Sequence, residues 1–122
     1  MPRLGLSCEG KLVGRDGRLG LLVLSSLQDV VVFDIRQLGL NGFKYGLTTV
    51  LSNPDLVKVV HDSRQMSDLM HHQLGLELSN TFDTLAGHLV FSNWAVVAER
   101  RQICVKSLSS TVKYYLGHYY KC

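Results

Sequence analysis

The sequence predicts a mixed α/β fold on three observations. Its first third holds three apolar, strand-like runs joined by short links. A clear amphipathic helix pattern starts at Ser63. Short strand and helix patterns then alternate. At 122 residues, with 46% hydrophobic and 19% charged side chains, the chain is a globular single domain, 1–122, or part of one. That apolar content supports a core without disulfide staples.

The elements follow in order. Leu4 to Glu9 alternates, with Leu4, Leu6 and Cys8 on one side and Gly5, Ser7 and Glu9 on the other. Gly10 to Gly17 reads as a turn. Leu19 to Ser25 is nearly all apolar, the pattern of a central strand covered on both faces. Asp29 to Ile35 is rich in β-branched residues and forms the third strand. The short links favour an antiparallel meander. Leu38 to Tyr45, with Gly39 and Gly42, reads as a loop, and Gly46 to Leu51 as a short helix ending before Asn53-Pro54. Leu56 to His61 is the fourth strand, placed parallel to the first by the helical crossover. Ser63 can cap a helix whose Met66, Leu69, Met70 and Leu74 share one face and which Gly75 stops. Thr81 to Asp83 is a short strand. Thr84 to Phe91 is helical with Leu85, Leu89 and Val90 inward. Ala95 to Arg100 is helix or loop. Ser107 to Tyr115 is a helix with Leu108, Val112, Tyr115 and Leu116 as its apolar side.

Composition narrows the function classes. A formal net charge of +3 permits contact with a polyanion without requiring it. Cys8, Cys104 and Cys122 have neither ligand spacing nor a disulfide framework, which points to a reduced, cytoplasmic compartment. No apolar run is long enough to span a bilayer, and the N-terminus lacks a signal-peptide pattern.

Three segments carry chemistry in order: Leu6-Ser7-Cys8-Glu9-Gly10, Lys58-Val59-Val60-His61-Asp62-Ser63-Arg64, and Asn80-Thr81-Phe82-Asp83-Thr84. Together they resemble the DEDD 3′–5′ exonuclease domain, in the branch that serves germline RNA and piRNA pathways. The resemblance runs from Leu4 to about Phe91. It implies a ribonuclease-H-like fold: a mixed sheet of about five strands, order 3-2-1-4-5, flanked by helices. It also implies an Asp-x-Glu pair on the first strand, since residues two apart present both acids to the same ions. Here the pair reads Ser7-Cys8-Glu9, and a neutral hydroxyl is a poor ligand for a hard cation. Asp62 matches the second motif, and Asp83 is typical of the fold but not a metal ligand. The third motif, Tyr-x-x-x-Asp, has no match, because no Asp follows Asp83. Either the chain is a piece that stops before that helix, the explanation we prefer, or it has diverged. Two of four expected acids remain, Glu9 and Asp62.

Ordinary explanations stand beside these. Glu9 is also what a surface glutamate looks like, and Asp62 is also a favoured helix cap. Ser7 has no His/Asp partner pattern for a nucleophile. His61, His71, His72, His88 and His118 do not converge as metal ligands, since His71 and His72 diverge around a helix. Tyr114, Tyr115, Tyr119 and Tyr120 either stack bases or pack, and packing is preferred. Lys11, Arg15 and Arg18 form a basic cluster that touches phosphates or decorates a hairpin tip.

The resulting expectation is a catalytically degenerate exonuclease-like domain, not an enzyme and without a cofactor. Its vestigial site is Ser7, Glu9 and Asp62. It binds single-stranded RNA and pathway proteins as an adaptor and self-associates as a homodimer. The alternatives are a weak exoribonuclease holding Mg²⁺ or Mn²⁺ on Glu9 and Asp62, and a protein-binding scaffold.

Overall fold

The computed structural model describes residues 2–11, 17–42, 46–99 and 107–117. Strands β1 (Arg3–Lys11), β2 (Arg18–Ser25) and β3 (Val30–Asp34) form the antiparallel meander. Helix α1 (Ile35–Gly42) and the single turn α2 (Thr48–Leu51) lead to β4 (Val57–Val60). Then come α3 (Arg64–Leu74), β5 (Thr81–Asp83), α4 (Thr84–Glu99) and α5 (Leu108–Leu116). β4 runs parallel to β1, and β5 parallel to β4. The order β3-β2-β1-β4-β5 is the one that the exonuclease resemblance implies.

One face of the sheet carries the core. Leu6, Leu22 and Val60 pack against Leu47, Leu51, Met66, Leu69, Met70 and Leu76. The helical spacing of Met66, Leu69 and Met70 buries all three, and Leu22, Leu51 and Met70 have no exposed surface. Gly75 ends α3 in the left-handed region (φ 62°), and the Leu76 N–H donates back to the Met70 carbonyl at 3.0 Å. Lys58, which shares β4 with Val60, is also fully buried. Its Nζ donates to the carbonyls of Asn53 at 2.6 Å and Leu56 at 2.8 Å, fastening the α2–β4 link under the sheet. Burial pushes the Lys58 pKa down.

Several elements differ from the sequence expectation. The segment read as a loop from Leu38 is mostly helix, since α1 occupies Ile35–Gly42 with a kink at Gly39 (φ 66°). The glycines that suggested a loop allow that kink, and α1 folds back onto β2 and β3. The third strand is shorter than expected, with Asp29 in the turn and Ile35 opening α1. β2 is not covered on both faces: Leu21 is 39% exposed, and on the neighbouring edge strand Val30, Val31 and Val32 are exposed as well. Val90 faces solvent, and the expected apolar side of α5 is open at Leu108, Tyr115 and Leu116. α4 continues to Glu99, so 95–99 is helical. His118, Tyr119, Tyr120, Arg15, Cys104 and Cys122 lie outside the described residues.

Met70→Ala is expected to cost about 2–5 kcal/mol, because it leaves a cavity between α3 and the sheet. Urea unfolding followed by circular dichroism measures this, and a loss below about 1 kcal/mol would contradict the placement of the core.

Candidate active-site cleft

A cleft of about 560 Å³ opens on the sheet, and its lining includes Ser7, Glu9, His61, Asp62, Met66 and Thr84. β1 supplies the first two. They are two residues apart, both exposed, and face Val23 and Leu21 of β2. The β1–β2 register slips by one residue between Glu9 and Gly10. This bulge turns the strand immediately after Glu9, as bulges commonly do beside active sites. Gly10 is required there: a Cβ would come within 2.1 Å of the Arg18 carbonyl oxygen.

The end of β4 supplies His61 and Asp62. Asp62 adopts a left-handed backbone (φ 61°), unusual for a residue with a side chain. The fold holds it there through Asp83. One Asp83 carboxylate oxygen accepts the N–H of Asp62 at 2.9 Å and of Leu85 at 2.9 Å. The other accepts the Ser63 N–H at 2.7 Å and the Ser63 hydroxyl at 3.0 Å. Ala86 N–H adds a longer bond at 3.3 Å. Burial works against ionising Asp83, but these donors outweigh it and hold its carboxyl below the usual range. Ser63 therefore does not cap α3 with its side chain. It gives its hydroxyl to Asp83 instead.

Asp62 does reach the start of α3, where the Arg64 backbone N–H is among the groups bonded to its carboxylate. Its carboxylate takes a two-pronged grip from Arg64, with Nε at 2.7 Å and Nη2 at 2.8 Å. That hydrogen bonding, strengthened by the guanidinium charge, lowers the Asp62 pKa. His61 Nδ1 lies 2.9 Å from the Thr84 hydroxyl, which donates to the Val60 carbonyl at 3.0 Å. The hydroxyl proton is thereby committed, and the His61 ring donates from Nδ1. Cys8, between Ser7 and Glu9, is pushed up to about 12 by burial and by the Glu9 charge, so its thiol is unreactive.

The donors present fit a two-metal centre poorly. Paired hard cations need several carboxylates. Here Ser7 offers a hydroxyl, Met66 a thioether, and both oxygens of Asp62 already serve Arg64. Glu9 remains. Among the described residues no group of three or more His, Cys, Asp or Glu is placed to hold a metal ion. His72 pairs with Asp68 at 3.3 Å and His71 with Glu77. Tyr114 and Tyr115 stack edge-on with each other and with His88, and neither tyrosine lines the cleft. Of the basic cluster, Arg18 lines a different cleft, nothing is described of the Lys11 side chain, and Arg15 lies outside the described residues. Sequence reasoning missed the Arg64 grip and the Asp83 clamp. Phe-Asp-Thr-Leu-Ala did carry a signal for the latter, since an Asp ahead of a helix receives the N–H groups two and three residues on.

Asp83→Asn is expected to destabilise the fold by about 2–3 kcal/mol, the loss of a charged acceptor for several N–H groups. The Asp83 pKa is lowered on folding, so its stabilisation is fully present above its unfolded pKa of 3.8 and disappears as pH falls through the folded value. Thermal melting between pH 2 and 7 should show a shallower acid limb in Asp83→Asn. Parallel limbs would contradict the clamp.

No protein-family model matches the chain. Among curated proteins it is 32% identical over 114 residues to piRNA biogenesis protein EXD1 of Bombyx mori, a match covering 93% of this chain and 36% of that protein. It is 41% identical over 90 residues to EXD1 of Mus musculus, covering 73% of this chain and 16% of the relative. It is 30% identical over 87 residues to the Egalitarian protein homolog of Caenorhabditis elegans, covering 70% and 15% respectively. The chain thus spans about a third or less of these relatives. Trypanosoma brucei RNase D in complex with RNA U12 superposes with a TM-score of 0.75 at 19% identity, over 97% of this chain and 41% of that one. Escherichia coli RNase D gives 0.68 at 17% identity, over 99% and 29%. At these identities the solved structures establish the fold. No described helix is long and apolar enough to cross a membrane. Over most of its length the chain is homologous to part of the EXD1 and Egalitarian proteins, and it has the fold of the RNase D structures.

Proposed function

We propose that this domain is catalytically silent and binds single-stranded RNA as an adaptor in a germline small-RNA pathway. The observation that carries the proposal is the cleft's donor set. A hydroxyl, Ser7, stands where the family resemblance places an acid, and Asp62 is already neutralised by Arg64. Two-metal hydrolysis depends on charge stabilisation by the ions, usually the largest catalytic contribution. A site that cannot assemble them forfeits that contribution. The family supports the pathway: relatives carry the name piRNA biogenesis protein. RNA as the ligand is supported by the RNase D of the same fold, solved in complex with RNA. Cytoplasmic residence remains part of the proposal. Self-association is supported by the exposed Val30, Val31 and Val32 on β3, which is an edge strand of the sheet among the described residues.

A second reading, a weak exoribonuclease, is favoured by one observation. Glu9 is exposed in the cleft with the Ser7 hydroxyl on the same strand face, and one ion could use both with substrate phosphates completing its shell.

Labelled single-stranded RNA incubated with the domain and Mg²⁺ or Mn²⁺ should be retained in a gel shift without losing length, and low millimolar Mn²⁺ should not raise the melting temperature. Stepwise 3′ shortening that vanishes in Glu9→Gln would establish the second reading instead. In sedimentation, Val31→Lys should shift any dimer toward monomer, because a charge on an edge strand opposes pairing.

A further inference from the structure

Arg18 and Arg36 line a second cleft, of about 580 Å³, between β2, α1 and α3. It shares no lining residue with the cleft of Ser7 and Glu9. Leu19, Ile35, Leu69 and Leu74 form its apolar walls. Gln73 reaches from α3 to the start of β2, donating to the Gly17 carbonyl at 2.6 Å, and so ties two walls together. Arg36 lies along β2: its Nε is 3.9 Å from where a Cβ on Gly20 would stand.

The charge pattern is one-sided. No carboxylate among the described residues lines this cleft. Among the described residues neither arginine takes part in an ion pair. Two guanidinium groups facing one concavity repel each other, and an anion between them reverses the sign of the interaction. Guanidinium forks match phosphate oxygens in geometry as well as charge. The first cleft has the opposite character. Glu9 and Asp62 line it, and its donor set gives a phosphate little to bind, so attraction for RNA has to originate elsewhere on the surface.

We propose that the Arg18–Arg36 cleft is a separate anion site that grips a phosphodiester of single-stranded RNA, away from the vestigial catalytic residues. This rests on the RNA-binding reading above. The site also explains how a cleft lined by carboxylates can belong to an RNA-binding domain: the grip on the phosphate is displaced to the α1 side of the sheet. Arg36 falls beside the segment whose glycines suggested a loop, and α1 is the element that brings it near Arg18.

Fluorescence anisotropy with a labelled oligouridylate tests this on Arg18→Gln, Arg36→Gln and the double variant. Circular dichroism would confirm that each folds, as expected for polar substitutions at a cleft rim. Each single change should weaken binding about tenfold, the usual worth of a charge-assisted hydrogen bond. The slope of log K against log salt should flatten by about 0.7 in the double variant, the contribution of the one single-strand phosphate that is no longer neutralised. Arg3→Gln, at the exposed start of β1, should change affinity less than twofold. Inorganic phosphate is the second arm and should raise the melting temperature of the wild type but not of the double variant. Unchanged RNA affinity and salt slope in the double variant would overturn the proposal while leaving the RNA-binding reading intact. Phosphate stabilisation confined to the wild type, with no RNA binding by any form, would preserve the anion site and overturn its assignment to RNA.

Discussion

A single carboxylate organises the region where the ends of β4 and β5 meet the cleft. Asp83, at the end of β5, receives N–H groups from the turn that follows β4 and from the first turn of α4. It therefore joins two crossovers that are remote in sequence. The left-handed backbone of Asp62, which L-residues adopt at a cost of about 1 kcal/mol or more, persists because this acceptor over-determines it. The orientation of β4's end, the start of α3 and the start of α4 all follow from one half-buried charge. Its many donors keep it ionised despite its burial.

The same clamp shapes the chemistry of the cleft. By fixing the backbone of Asp62 and Ser63, it sets Arg64 at the first position of α3, within reach of the Asp62 carboxylate. A guanidinium then occupies the electrostatic role that a divalent ion would take at that acid. Such an exposed pair contributes little to stability, since solvent screens it. Its effect is on the availability of Asp62 as a ligand. Met66, in the first turn of α3, presents a soft thioether to the same cleft and buries it in the core as well. The cleft thus keeps two carboxylates, Glu9 and Asp62, of which Asp62 is held by Arg64.

The strands and α3 are legible in the sequence because each advertises itself locally, whereas the order in which the strands sit in the sheet came from the family resemblance. β-branched runs, a four-residue apolar spacing and a left-handed Gly75 need no tertiary information. α1 was not legible: Gly39 and Gly42 signal a loop, and the helix forms because its docking on β2 and β3 outweighs two poor helix formers. The exposure of Leu21, Val90 and Tyr115 was equally hidden. An apolar pattern announces that a face can be buried, not that a partner layer covers it. At the site, Ser7 and Glu9 were correctly placed together, since a strand's period of two guarantees it. The Arg64 grip depends on a turn geometry that Asp83 imposes from twenty-one residues away, and Arg36 depends on α1, so neither was visible from local pattern.

The junction between the two halves of the sheet has a mechanical consequence. Ser7 and Glu9 ride on the antiparallel half, and His61 and Asp62 on the parallel half. The seam joining them is three rungs long, Arg3 with Val57, Leu4 with Lys58 and Gly5 with Val59. All three rungs lie at one end of β1, and the last of them, Gly5 with Val59, is already part of the cleft lining. The Lys58 ammonium fastens the chain that leads into this seam, and Leu6, Leu22 and Val60 share one core across it. The two walls of the cleft, one from each half of the sheet, are therefore held in register at its foot by three rungs and the apolar layer behind them.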